Sequence, residues 1–316
     1  MPFKTITKIA AFVILSSFAS VFSACENFTN GRGNASSTDK DQIYSPPQII
    51  GKITSNEIQE SSGLAASKCR SDILWTHNDS GGGPFLYAID VKGARLETWQ
   101  VTGAKNIDWE DIALRKDTGG KCYLYIGDIG NNTRQRGEFS IYRIAEPSAS
   151  PKSTSRKMPG ETAAAEILRF SYPDNAHDAE TLLVEPVSGS IYVITKRISD
   201  SAGVYKLKPD FSSDELQIAE KIDDISVPAI PNGFLTGGDI SPDGKRVVLC
   251  DYFSGYELSI KDGQSFDEIW TDPPVKFGLG KREQGESITY SPDGNSVFAT
   301  SELKNSPLIK VSRISK

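Results

Sequence analysis

Residues 237–252 read GGDISPDGKRVVLCDY, and residues 285–302 repeat the plan as GESITYSPDGNSVFATSE. In each, a short apolar strand meets the turn Ser-Pro-Asp-Gly and a second apolar strand follows, ending in polar residues. Proline presets φ and glycine accepts a positive φ, so the two apolar segments fold back on one another as a hairpin. The plan occurs three more times: SSGLAAS with ILWTHNDS and FLYAID (61–90), WEDIALR with CYLYIGDIGNN and FSIYRIAEP (109–147), and AETLLVEPVSGSIYVITKR with GVYKLKP (179–209). Repeated short strands without a long amphipathic helix predict an all-β chain, and units of this size suit the blades of a β-propeller. Five blades are favoured. Six stays open, because residues 146–172 form a long tail on the second unit.

The fifth unit ends after three strands, while QIIGKIT (48–54) stands at the other end of the chain with no neighbour in sequence. Pairing it into the last blade closes the ring and removes both exposed edges. The propeller is therefore expected to span residues 46–316.

Upstream of it, Lys4 and Lys8 precede the apolar run IAAFVILSSFASVF, which ends in SAC at 23–25. That is the order of a secretory signal peptide, assigned to residues 1–24, and Cys25 stands where a lipoprotein would be acylated. Phe22 departs from the usual aliphatic residue of that box. Residues 25–45 are polar, Gly- and Ser-rich and aperiodic, as in a flexible tether. The expected location is outside the cytoplasm: periplasmic, outer-membrane lipoprotein or extracellular. Membrane contact is expected only through lipid on Cys25, and the propeller is expected to be a monomer. Cys69 and Cys122 precede equivalent strands of successive units, so a disulfide between them is expected. Cys250, inside an apolar run, reads as a buried thiol.

The 316 residues carry a formal net charge of -6, with a pI near 5.2. No basic stripe is available to neutralise phosphates, which argues against a nucleic-acid partner.

In a propeller the inner strand runs down the channel and the second strand runs back, so inner-strand starts and second-strand ends share one mouth. The starts are Ser62, Glu110, Glu180, Asp239 and Glu286; the ends are Asn78 with Asp79, Asp128, Lys196, Asp251 and Glu302. The most charged is NIDWEDIALR (106–115), which adds Asp108. A ring of oxygen ligands without thiolates suits a hard cation, Ca²⁺ first and Mg²⁺ or Mn²⁺ next. The metal ligands expected are Asp108, Glu110, Asp128, Glu180, Asp239, Glu286 and Glu302. Asn78, Asp79, Lys196 and Arg197 are expected to bind a small polar ligand. The two histidines, His77 and His177, fall in the same loops. Any one of these acids has another use, which is to accept hydrogen bonds from the backbone of the next blade. The glycines of NDSGGGP and GDIGNN read as turn formers before they read as an anion nest.

ESSGLA, HNDSG, DWEDIA, YIGDIGNN, AETLLVEP, YVITKR and TGGDISPDG, in this order from about Glu60 onward, resemble a family of exported bacterial β-propeller proteins, mostly uncharacterised and similar in appearance to phytase-like and gluconolactonase-like propellers. The resemblance implies a propeller and export more firmly than an activity. Asn131 departs from the Asp usual in that family. Three functions fit. The first is a binding module whose acidic mouth holds a divalent cation and a sugar, polyol or phosphorylated ligand. The second is a metal-dependent hydrolase of a phosphoester, lactone or glycoside, with His77, Asp128, Glu180 and His177 as catalytic groups. The third is a structural envelope protein without ligand.

Overall fold

Gly244 and Gly294 take φ of 71° and 70°. Each donates its N–H across the turn, to the Ser241 and Ser291 carbonyls at 2.8 Å. Both Ser-Pro-Asp-Gly turns therefore close as the sequence requires. The computed structural model describes residues 43–150 and 153–314. Among them the fold is a five-bladed β-propeller of antiparallel sheets, each with its inner strand at the channel.

The inner strands are Ser61–Ala66, Trp109–Lys116, Ala179–Val184, Gly237–Ile240 and Ser287–Tyr290. Each contacts the next, and the fifth contacts the first. The second strands, antiparallel to them, are Ile73–Asn78, Cys122–Asp128, Ile191–Thr195, Arg246–Cys250 and Ser296–Thr300. The strand Gln48–Lys52 lies antiparallel to Pro307–Ser312 and completes the fifth blade. This is the ring closure expected from the unpaired strand. The long tail does not make a sixth blade. Its strand Glu166–Ser171 is the fourth of the second blade, and Gly160–Glu161 adds a short parallel edge to the first.

Every blade is sandwiched between two others, which is why the strands read as nearly continuous apolar runs. Five apolar clusters fill the five interfaces between blades. Between the first and second, Trp75 and Trp109 are wholly buried. Each large side chain so buried contributes about 1.5–3 kcal/mol. Polar latches supplement this packing. Ser62 Oγ donates to the Glu110 carbonyl at 2.7 Å, Asp111 Oδ2 accepts from Leu182 N–H at 2.9 Å, and Ser287 Oγ donates to the Ser62 carbonyl at 2.9 Å.

Tyr44 is buried, bridges to Arg313, and donates from its hydroxyl to Glu257 Oε2 at 2.5 Å. Residues 43–45 thus pack on the last blade and do not behave as tether. The segment expected to be a signal peptide, Cys25 and residues 26–42 lie outside the described residues. No helix among the described residues is long and apolar enough to cross a membrane. Cys250 is a free, buried thiol.

Cys69 and Cys122 are bonded, with Cα atoms 6.1 Å apart, and they tie a turn of the first blade to the second strand of the second. The cross-link spans 53 residues of sequence, so its removal frees a long loop in the unfolded chain. The double variant Cys69→Ser/Cys122→Ser is expected to lose roughly 2–4 kcal/mol in urea denaturation, with the native circular dichroism spectrum retained before the transition.

Candidate functional site

In the first three blades the start of the inner strand departs from regular pairing. In the second blade the register shifts between Trp109 and Asp111, leaving Glu110 as the extra residue of a β-bulge; in the third it shifts between Ala179 and Thr181, leaving Glu180. A bulge re-aims its extra side chain out of the ladder. Glu110 and Glu180 are thereby both directed at the channel mouth. DWED divides its side chains accordingly: Trp109 enters the core, Asp111 latches Leu182 of the next blade, and Asp108 and Glu110 face the mouth.

Oxygens of Asp79, Asp108 and Glu110 lie within 4.8 Å of one another. Calcium–oxygen bonds of about 2.3–2.6 Å place ligands of one ion up to about 5 Å apart, so the trio matches a single hard cation. Among the described residues no donor hydrogen-bonds the carboxylate of Asp108 or Glu110. Gly130 backs them closely: a Cβ there would stand 2.1 Å from Glu110 Oε1 and 2.5 Å from Asp108 Oδ2. Glycine is needed for that approach.

Glu180, Glu286 and Glu302, all buried, complete the bowl. Lys196 Nζ pairs with Glu180 Oε1, while Glu180 Oε2 is buried with no partner. The ammonium lies 4.7 Å from the Phe234 ring centre and 5.5 Å from that of Tyr252. Gln284 Nε2 donates to both Glu286 and Glu302, whose carboxyls also hydrogen-bond each other.

One ammonium against so many acids leaves the bowl short of positive charge. Burial, followed by repulsion from neighbouring carboxylates, pushes Asp108 up to about 7. Burial likewise takes Asp79 to about 6 and Glu302 to about 7. Glu110 and Glu286 rise well above the carboxylate range for the same reasons. Glu180 also rises, the burial outweighing Lys196.

The other expected site residues are placed elsewhere or already engaged. Asp128 is fully buried; it accepts from Ile107 N–H at 3.2 Å and Asp108 N–H at 3.1 Å and pairs with Arg136 at 2.8 Å. It holds the DWED loop in place and has no free oxygen for a metal. Asp239 is the third residue of its strand, opposite Val248, and accepts from Thr289 Oγ1, Tyr290 N–H and Ile240 N–H. It latches the next blade, because its strand starts at Gly237 without a bulge. Asn78 accepts from Gln59 and Glu60 N–H and donates to the Glu57 carbonyl and Tyr87 hydroxyl, which uses its amide up as a clamp.

His77 is fully buried, its Nε2 has no partner, and a Cβ on Gly63 would stand 2.7 Å from it. Burial lowers its pKa to about 4, so the ring is neutral and sealed in the wall. His177 Nε2 is 2.9 Å from both Asp174 Oδ1 and the Tyr205 hydroxyl, a separate polar group between the second and third blades. Arg197 packs its Cβ against the Gly233 backbone position, and its N–H donates to the Gly233 carbonyl. Asp251 is spent on Phe253 and Ser254 N–H and the Tyr256 hydroxyl.

Sequence reading missed Gln284, Phe234 and Tyr252, and read Gly130 as a turn former. Gln284 was the most findable, since it stands two residues before Glu286 as Asp108 stands two before Glu110. Compared with known proteins, the chain matches no family model and no curated protein.

Gly130→Ala is expected to force Asp108 and Glu110 apart and abolish any stabilisation by Ca²⁺, while the cation-free melting temperature changes little. In chelator, the raised carboxyls favour the folded state while protonated. That contribution is complete below their unfolded pKa near 4 and is lost as pH rises through about 6 to 7. The melting temperature in EDTA is expected to fall between pH 5 and pH 8, and Glu110→Gln should flatten the slope.

Proposed function

We propose that this protein is an exported β-propeller whose channel mouth binds a divalent cation, Ca²⁺ first and Mg²⁺ or Mn²⁺ next, and through it a small polar ligand such as a sugar, polyol or phosphorylated molecule. The observation that carries the reading is the Asp79–Asp108–Glu110 trio, whose oxygens converge within 4.8 Å with no donor on Asp108 or Glu110. A buried carboxylate oxygen without a partner, Glu180 Oε2, points to the same deficit of cations. The ligand would complete the ion's coordination, with Lys196 and Gln284 beside it as donors. The resemblance to exported bacterial propellers agrees with this reading. Export is supported by the apolar leader ending at SAC and by the Cys69–Cys122 bond, which persists in an oxidising compartment. Acylation of Cys25 would anchor the domain.

A hydrolase built on the same ion is the second reading, favoured by one observation: Glu302 has its pKa held at about 7 beside the trio, where a carboxyl exchanges protons at neutral pH. Glu180 is the other candidate acid. His77 and His177 are not placed for this role.

Calorimetric titration of the chelator-stripped protein with Ca²⁺ is expected to give one site. With an affinity of about 0.1–1 mM, typical of extracellular modules, 10 mM Ca²⁺ would add about 1.4–2.7 kcal/mol to stability. Glu110→Gln should remove both effects; identical melting with Ca²⁺ and with EDTA would refute the site. A phosphoester and lactone panel, run with each metal, separates the two readings: turnover lost in Glu180→Gln or Glu302→Gln establishes the hydrolase, and none in the wild type leaves the binding module.

A further inference from the structure

The turns joining inner to second strands surround the opposite end of the channel, away from the carboxylate bowl. A cavity of 370 Å³ lies there, lined by Lys68, Lys116, Asp117, Pro186, Pro242 and Pro292, so that all five blades contribute. Its volume is that of a small-molecule site.

The three prolines come from equivalent turns of the third, fourth and fifth blades. A proline offers no N–H, so this side of the cavity presents ring methylenes and almost no donors. The charged side is different. Lys68 is half-buried, and its Nζ has one hydrogen bond, to the Leu114 carbonyl at 3.2 Å. Neither Lys68 nor Lys116 forms an ion pair among the described residues. The acids nearby each accept hydrogen bonds from their own surroundings. Asp117 Oδ1 accepts from Lys121 N–H at 2.9 Å, and the Asp239 carboxylate, whose field reaches Lys68, accepts from Thr289, Tyr290 and Ile240. The lining carries two ammoniums against the one carboxylate of Asp117, and Lys68 Nζ keeps donors beyond its bond to the Leu114 carbonyl that an anionic acceptor would satisfy.

We propose that this cavity binds a small carboxylate with an apolar body, Lys68 receiving the carboxylate with Lys116 beside it and the three prolines holding the body. The ammonium then completes its hydrogen bonds, and the apolar part leaves water against methylenes. The inference stands apart from the cation site, which lies at the other mouth.

The probe is benzoate, titrated into the full folded chain in EDTA and followed by calorimetry and by the Lys side-chain resonances. Benzyl alcohol, neutral and of similar shape, and inorganic phosphate, charged without the body, are the comparators. Benzoate is expected to bind at least tenfold more tightly than either. Lys68→Met should weaken it at least tenfold and Lys116→Ala about threefold, whereas Glu110→Gln should leave it unchanged. Should Lys68→Met fail to fold, a benzoate-dependent shift of the Lys68 resonance in the wild type decides the matter. Absence of benzoate binding, equal binding of benzyl alcohol or phosphate, or unchanged affinity in folded Lys68→Met would overturn the proposal.

Discussion

Confinement of like charges at one end of a closed ring is the constraint around which the mouth is organised. Once Gln48–Lys52 pairs with Pro307–Ser312, the inner strands cannot spread, and whatever their starts carry is held together. Six carboxyls meet one ammonium there, and each acid rises toward or beyond neutrality because water is excluded and its neighbours repel it. The fold tolerates this because the five apolar interfaces between blades carry the stability. A bowl that is electrostatically poor on its own is receptive to a cation.

The architecture was legible because it rests on local signals that repeat. Proline and glycine at fixed positions in two turns set the hairpin period, and an orphan strand facing a blade one strand short specified the closure. The disulfide followed from the same alignment of units.

The site was legible only in part, since the sequence does not display a register shift. Glu110 and Glu180 reach the mouth through bulges, whereas Asp239 occupies a regular strand and turns to its neighbour's backbone. A residue offset of one or two converts a ligand into a latch. Asp128 illustrates a second blindness: it stands at the expected end of its strand, yet Ile107 and Asp108 N–H and Arg136 arrive from other segments and claim it. His77 was expected among the mouth loops as a catalytic group, but it lies in the strand Ile73–Asn78 and is turned inward against Gly63.

The position of the closing strand also governs when the molecule can be finished. Gln48–Lys52 is made early, and its partner Pro307–Ser312 comes from the far end of the described chain. Until that partner emerges from the ribosome, the fifth blade lacks its third strand and the closing strand has nothing to pair with. Long-range pairing of this kind is slow and leaves apolar surface uncovered meanwhile. Synthesis therefore yields an open chain first, and the circle is sealed only after Pro307–Ser312 has been made.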